Sequence, residues 1–394
     1  MEESESIGDA SGREFPPMKL PAGVTEDYIN CQKSCGLNWH VLKAGTPGKP
    51  LVLFCHGYPE LAYSWRKIIG AIAEAGYYCV AMDQRGYGRT TSGFLQFPAN
   101  NEYYLTNLVR DLVCLVYKLG YTKVLSIVGH DFGAVSSAMA ALMRPDMFRS
   151  TVQLSHPHHP SATPQSFDGS SDSGPPKNGV DMKAELEKLD PPRKHYKLYN
   201  TTPEAEQEWN NPPQGLEKFL RGYLHLKSAD WTKNDPHPLE TASAEALAEM
   251  PEYYIMRKED SMPATVERNM ENEDYTKTEK WLTTDDLEVY CTEWKRTGFG
   301  SALKWYGSNS PSQSMRDMLL FAGKRIEVPC TFISGKQDWG NYQSPGDIEG
   351  YEDPARVKEG CFRGTRLIPD AGHWVQQEQP EAVVVALLEF LKTV

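Results

Sequence analysis

The 394-residue sequence has no long apolar run. Nothing in it approaches the ~20 consecutive apolar residues that cross a bilayer. The most apolar stretch, Ala382–Leu391, is short and carries Glu389, so it reads as a core helix. Basic residues are also scarce: 41 Lys and Arg face 53 Asp and Glu, a formal net charge of −12. Nucleic acids and anionic membrane surfaces both need basic patches, so neither is expected as a partner. Met1–Ala10 lacks the basic segment and apolar stretch of a secretory signal. The eight cysteines lack metal spacing: Cys31 and Cys35 are close, but no second Cys or His cluster follows. Cys55, Cys79, Cys114 and Cys330 lie in apolar segments, where thiols behave as small hydrophobes. A reducing, cytoplasmic setting fits.

What is present is alternation. Short apolar runs at Leu51–Cys55, Tyr77–Met82, Val124–Val128 and Thr151–Leu154 read as strands. Helical stretches at Ser64–Glu74, Leu105–Leu119 and Ala134–Met143 separate them. Strand and helix in turn imply a mostly parallel, doubly wound α/β sheet with helices on both faces. After His156 the pattern breaks: residues 157–180 are rich in Pro, Ser, Gly and Asp, and the chain then turns helical and aromatic. Within it, Leu287, Tyr290, Cys291 and Trp294 make a helical stripe that Thr283 or Thr284 can cap. Alternation resumes at Cys330–Ser334 and Thr365–Ile368, and a last helix follows Pro380. The expected organisation is a flexible tail (1–20), a core in two parts (21–156 and 322–394) and an inserted helical cap (157–321).

Val128-Gly129-His130-Asp131-Phe132-Gly133 has the form of a nucleophile elbow: an apolar strand, a nucleophile between small residues, then a helix. Asp131 could simply cap that helix. Its companions favour chemistry. Asp338 follows the strand Cys330–Ser334, and His373 follows the strand Thr365–Ile368. Nucleophile, acid and base thus come in that chain order, each at the edge of the sheet where open α/β sheets bind ligands. His56-Gly57-Tyr58-Pro59 follows another strand. A backbone N–H there, at Tyr58, and the N–H of Phe132 would form an oxyanion hole.

Cys55-His56-Gly57-Tyr58-Pro59-Glu60, Tyr63-Ser64-Trp65-Arg66, Ala81-Met82-Asp83-Gln84-Arg85-Gly86-Tyr87-Gly88, Gly129-His130-Asp131-Phe132-Gly133 and Gly372-His373-Trp374 resemble the soluble epoxide hydrolases of the α/β-hydrolase superfamily. The resemblance runs from about residue 24 to nearly the end. It departs at Phe132, where relatives commonly carry Trp, and at the insertion 157–180. It implies that two cap tyrosines face the nucleophile, for which Tyr306 and Tyr196 match best and Tyr199 is the fallback.

An ionised carboxylate suits displacement at saturated carbon. The expected reaction is therefore attack by Asp131 on a lipophilic epoxide, giving an ester that water, activated by His373 with Asp338, releases as a vicinal diol. No metal or organic cofactor is expected, and the protein is expected to be a monomer or homodimer. His56, Pro59, Trp65, Trp305, Trp374 and Tyr199 are expected at the substrate pocket, although large aromatics are as often core. Haloalkane dehalogenation would use the same three residues, but it needs N–H donors for halide, commonly an indole directly after the nucleophile. A binding protein on a hydrolase fold is the third reading.

Overall fold

In the computed structural model the described residues are 15–92, 100–159, 181–308 and 317–394. Among them the strands are β1 Val24–Cys31, β2 Leu37–Ala44, β3 Leu51–Cys55, β4 Tyr78–Met82, β5 Thr91–Ser92, β6 Ser126–His130, β7 Thr151–Leu154, β8 Arg193–His195, β9 Ile255–Arg257, β10 Cys330–Gly335 and β11 Phe362–Ile368. Nine form one sheet in the order β1-β2-β4-β3-β6-β7-β10-β11, with β5 beside β2. From β4 across to β11 the pairing is parallel. β2 pairs antiparallel with β1, β4 and β5. This is the expected α/β sheet, with an antiparallel edge that the sequence reading left unassigned.

The residue alternation in the central strands explains two covered faces. Side chains alternate across a strand. Val52 and Phe54 of β3 enter one core, and Leu51, Leu53 and Cys55 the other. β4 splits likewise, with Cys79 and Ala81 against Tyr78, Val80 and Met82. Continuous apolar strands are what a sheet buried on both sides requires. The closing helix, Pro380–Leu391, starts with proline, whose missing N–H is harmless there, and buries Val383, Ala386, Leu387, Phe390 and Leu391.

Several elements differ from the reading. The helix expected at Ser64–Glu74 is a short 3-10 turn, Ala62–Trp65, and a helix, Ile69–Glu74. The strand expected at Val124–Val128 runs Ser126–His130, so the nucleophile candidate follows it directly; Val124 makes only an isolated bridge with Phe148. The helical cap also holds a small β8-β9 pair. Residues 15–20, expected in a loose tail, make specific contacts. Met18 is buried, and Phe15 lies against Arg89 and Arg296. Residues 1–14, and 160–180 of the insertion, lie outside the described residues. Among the described residues no helix is long and apolar enough to cross a membrane.

The cap helix Thr284–Thr297 begins with the expected Thr283 cap, completed as a capping box by Asp286. The same Asp286 accepts from Arg66 Nε at 2.9 Å and Tyr63 Oη at 3.0 Å, which joins cap to core. A second junction is buried and ionic. His40 Nδ1 lies 2.7 Å from Asp83 and its Nε2 3.3 Å from Glu26. Arg89 bridges Glu26 at 2.6 Å to the cap residue Glu293 at 2.8 Å. Burial works against a proton on His40, but Asp83 and Glu26 override it and push the imidazole up to about 9. Burial likewise opposes the charge on Asp83, yet His40 holds that carboxyl down at about 2.

A histidine raised above its unfolded value of ~6.5 adds stability that is whole below that pH and lost as the pH rises through the folded value. Wild type should therefore lose ~3 kcal/mol more unfolding free energy than His40→Asn as the pH rises through that interval. Urea titrations of both proteins from neutral to alkaline pH would check this, and parallel pH dependences would refute it.

Candidate active site

β6 ends between β3 and β7, and the helix Phe132–Met143 starts one residue later. Asp131 is that one residue, at φ 52° and ψ −117°, which side-chain-bearing residues rarely adopt. Its neighbours explain how it is held. A Cβ on Gly133 would lie 2.0 Å from the Cys55 carbonyl oxygen, and one on Gly129 1.9 Å from the Gly133 carbonyl. Only glycine at both positions lets β3, β6 and the helix close this tightly. The Asp131 N–H donates to Leu154 O at 3.1 Å, and its carbonyl accepts from Ala134 at 2.9 Å.

The two carboxylate oxygens have different surroundings. Oδ1 accepts the Tyr58 N–H at 2.9 Å, and Oδ2 lies 3.5 Å from His373 Nε2. The N–H of Phe132, the other oxyanion candidate, opens a helix, where the first N–H groups have no intrahelical acceptor. Burial disfavours the charge on Asp131, but the His373 ring, followed by Lys227 and His130, holds its carboxyl well below the usual carboxylate range.

Asp338 and His373 leave β10 and β11 side by side. His373 Nδ1 lies 3.0 Å from Asp338 Oδ2 and 3.2 Å from Oδ1. Asp338 also accepts from Gly340 N–H at 2.6 Å. Despite burial, His373 keeps the Asp338 carboxyl below its usual range. With Nδ1–H donated to Asp338, the Nε2 lone pair is left toward Asp131. That is the arrangement of nucleophile, base and orienting acid.

Two features were missed in the sequence. Glu60 and His130 form a buried pair, Oε2 to Nδ1, at 2.5 Å. His130 Nε2 donates to the His373 carbonyl at 2.6 Å, and Glu60 accepts from Gly57 N–H at 3.1 Å and from Gln376 and Gln377 at 2.9 and 3.1 Å. One ion pair thus ties the Tyr58 loop, the elbow and the His373 loop. Both residues lie inside the motifs already singled out, and a charged side chain beside an apolar strand was the available signal. The second is Lys227 in the cap, whose carbonyl accepts the His373 N–H at 2.8 Å. Gly372 permits this approach, since a Cβ there would sit 2.5 Å from Lys227 O. Its signal, one lysine in a charged and aromatic helix, is not distinctive.

Of the expected tyrosines, Tyr306 packs 4.7 Å from Phe132 and 5.4 Å from Tyr58, ring centre to ring centre, and Tyr196 lies 5.8 Å from Tyr306. Burial first, and the Asp131 charge among the other causes, raise both phenols well above their usual value, so both keep their protons. Tyr199 is directed elsewhere: its hydroxyl donates to Glu208 at 2.6 Å and accepts from Met262 N–H at 3.1 Å. Trp305 lies 5.7 Å from Phe132, and Trp374 lies 4.7 Å from His373. Their indole N–H groups go to Arg85 O at 2.9 Å and Leu224 O at 2.8 Å. Pro59 offers its carbonyl to Trp294 at 3.0 Å.

His56 and Trp65, expected at the substrate pocket, are both fully buried. His56 is fully buried, with Nδ1 2.8 Å from Gly57 O and Nε2 accepting Gln84 N–H at 3.0 Å. Trp65 is fully buried against Phe54, centroid to centroid 5.2 Å. An open groove of about 590 Å³ on the cap includes Gln214, Lys218, Arg221, Tyr275 and Lys295 in its lining and none of these site residues. Among the described residues no group of three or more His, Cys, Asp or Glu is placed to hold a metal.

A family model described as the alpha/beta hydrolase fold matches residues 50–188. Epoxide hydrolase A of Mycobacterium tuberculosis is 33% identical over 360 residues, which cover 90% of this chain and 94% of that protein. Epoxide hydrolase B of the same organism is 31% identical over 373 residues, covering 92% of this chain and 97% of that protein. Among solved structures, an epoxide hydrolase from an endophytic Streptomyces superposes with a TM-score of 0.72 at 27% identity, covering 94% of this chain and 96% of that one. Epoxide hydrolase A from Mycobacterium thermoresistibile gives 0.70 at 29%, covering 94% and 98%.

A Cβ on Gly57 would lie 2.3 Å from Asp131 Cβ and 2.6 Å from its Oδ1. Gly57→Ala should therefore force Asp131 and the Tyr58 loop apart. Turnover should fall ~10²-fold while circular dichroism keeps the wild-type fold, and the melting temperature should drop as well, since Asp131 Cβ moves only with its backbone. Unchanged turnover in that variant would show that the position of the Asp131 carboxylate does not matter.

Proposed function

The chain belongs to the epoxide hydrolases of the α/β-hydrolase fold, and from that premise we propose that Asp131 opens the ring and that His373, oriented by Asp338, releases the diol. The observation that carries this reading is the unequal setting of the Asp131 oxygens, one on the Tyr58 N–H and the other toward His373. Oδ2 attacks an epoxide carbon, the ring C–O bond breaks, and the oxygen takes a proton from Tyr306 or Tyr196. A carboxylate ester remains. His373 then takes a proton from water, and the hydroxide adds to the Asp131 carbonyl carbon. The oxyanion forms on Oδ1, where the Tyr58 and Phe132 N–H groups hold it. Collapse expels the diol oxygen, which leaves with the proton from His373, and the resulting Asp131 carboxylic acid gives up its proton to solvent. The tyrosinate regains its proton from solvent.

Phenol protons suit an epoxide because an alkoxide is a poor leaving group. A halide would need N–H donors instead. Phe132 offers none from its side chain, and the indoles of Trp305 and Trp374 are committed to backbone carbonyls. This argues against dehalogenation. The substrate we infer is lipophilic, to match Phe132, Trp305, Trp374 and the cap tyrosines. All eight cysteines are free thiols, which fits a cytoplasmic site of action, and a monomer or homodimer would carry the complete site.

Single turnover of a diaryl epoxide, followed by chromatography and protein mass, tests the scheme. Wild type should release diol, while His373→Gln should accumulate one substrate equivalent on the peptide that contains Asp131. Tyr306→Phe should slow ester formation more than ester decay. Diol from wild type with no adduct in any His373 variant would sink the covalent route.

A further inference from the structure

We propose that Glu378 is a positioning residue for ester hydrolysis: its carboxylate holds the backbone on both sides of His373, and ties it to the cap, so that the imidazole stands where it can take a proton from water. The inference rests on the two-step reading above and concerns the second step.

Glu378 ends the short helix Val375–Glu378 that follows His373. Its Oε1 accepts the Trp374 N–H at 3.0 Å, and its Oε2 accepts the Gly372 N–H at 3.0 Å and the Ala229 N–H at 2.8 Å. The first contact is ordinary, since Trp374 is the N-cap of that helix and an acid in the first turn often takes the N-cap N–H. The other two are not. Gly372 lies on the far side of His373, and Ala229 follows the cap helix Leu216–Leu226. Gly372 makes the approach possible, because a Cβ there would lie 2.7 Å from Ala229 N. Between the two flanks, the His373 N–H itself donates to Lys227 O at 2.8 Å. Three successive N–H groups are thus engaged, two of them by one side chain. Among the described residues Glu378 makes no salt bridge, and burial, with the Asp230 charge, pushes its carboxyl up to about 7 against the pull of the three N–H groups. A helix that needed only a cap would be served by one oxygen; this site uses both.

The backbone matters because the ring has little freedom of its own. With two side-chain torsions, His373 must bring Nδ1 to Asp338, at 3.0 and 3.2 Å, and Nε2 toward Asp131, 3.5 Å from Oδ2. Asp338 follows β10 and Asp131 follows β6, so a shift of the His373 backbone cannot be undone at both ends by turning the ring. Misplacement by ~1 Å can cost ~10²-fold in rate. Ring opening has other requirements. It uses Asp131, whose backbone is bonded to Leu154 and Ala134, and a cap tyrosine. None of the three Glu378 contacts touches those residues. Loss of the clamp should therefore fall on ester hydrolysis and spare ester formation.

The experiment is single turnover of a diaryl epoxide by Glu378→Gln, which keeps the length of the side chain but leaves one accepting oxygen. It is run in the wild-type and His373→Gln backgrounds, with ester read by protein mass and diol by chromatography. Glu378→Gln should form the ester at close to the wild-type rate and release it ~10-fold or more slowly, so that ester accumulates. In the His373→Gln background the same substitution should change neither rate, because a residue that acts through His373 has nothing left to act on. A merely structural carboxylate would slow both steps alike, or would slow either step in the His373→Gln background, and each of those results overturns the proposal. Should Glu378→Gln not fold, Glu378→Asp, which keeps the charge on a shorter arm, reads the same partition. Slowed release with unslowed ring opening supports the assignment, and equal slowing of both steps, or none, overturns it. Absence of any ester in wild type and in His373→Gln removes the two-step reading itself, whereas an ester that Glu378→Gln releases at the wild-type rate removes only the role of Glu378.

Discussion

One close backbone approach at the site is the one that everything else waits on. The helix after β6 must start where β3 ends, and the space between them admits no side chain: a Cβ at Gly133 would meet the Cys55 carbonyl at 2.0 Å. Given that closure, Asp131 is driven into its left-handed backbone and its carboxylate is delivered to the Tyr58 N–H. Strain of this kind persists only where the surroundings over-determine it. Here they do so through the bonds of Asp131 to β7 and to its own helix. The position of Asp131 is therefore a property of sheet packing, not of its own rotamer.

Around that fixed point the buried charges are arranged in opposing signs. Glu60 is paired with His130, and Asp338 with the His373 ring. Each carboxylate is held in its charged form against burial by a basic partner. Such pairs add little net stability when both partners must be desolvated. They fix geometry instead, since His130 reaches the carbonyl of His373 and Asp338 reaches its ring. The same logic recurs at the junction of core and cap, where His40, Asp83, Glu26, Arg89 and Glu293 form one connected cluster.

What could be read from the sequence follows from how local each determinant is. The parallel strands were legible because burial on both faces leaves a continuous apolar run, and the elbow because its glycines are contiguous with the nucleophile. Asp338 and His373 were found by their position after strands. The antiparallel edge, β1 and β2, was not assigned: Thr25, Glu26 and Asp27 break the apolar pattern of β1, whose side chains are only partly buried. A motif position does not say which way a side chain faces, and Trp65 turns to Phe54. Lys227 was invisible, since its carbonyl meets the His373 N–H only after the cap folds over the sheet.

The hydrogen bond from the His373 N–H to the Lys227 carbonyl means that the placement of His373 belongs to neither part of the molecule alone. Beside it, Ala229 shares the Glu378 carboxylate with Gly372 and Trp374. Chimeras that exchange caps between relatives, a natural way to alter substrate range, would thus transplant half of the scaffolding of His373 along with the cap. A donor cap preserves that scaffolding only if the backbone at 227–229 arrives in register with Gly372. Recombination boundaries drawn after this segment, rather than at the visible change from helix to strand, would keep the two halves together.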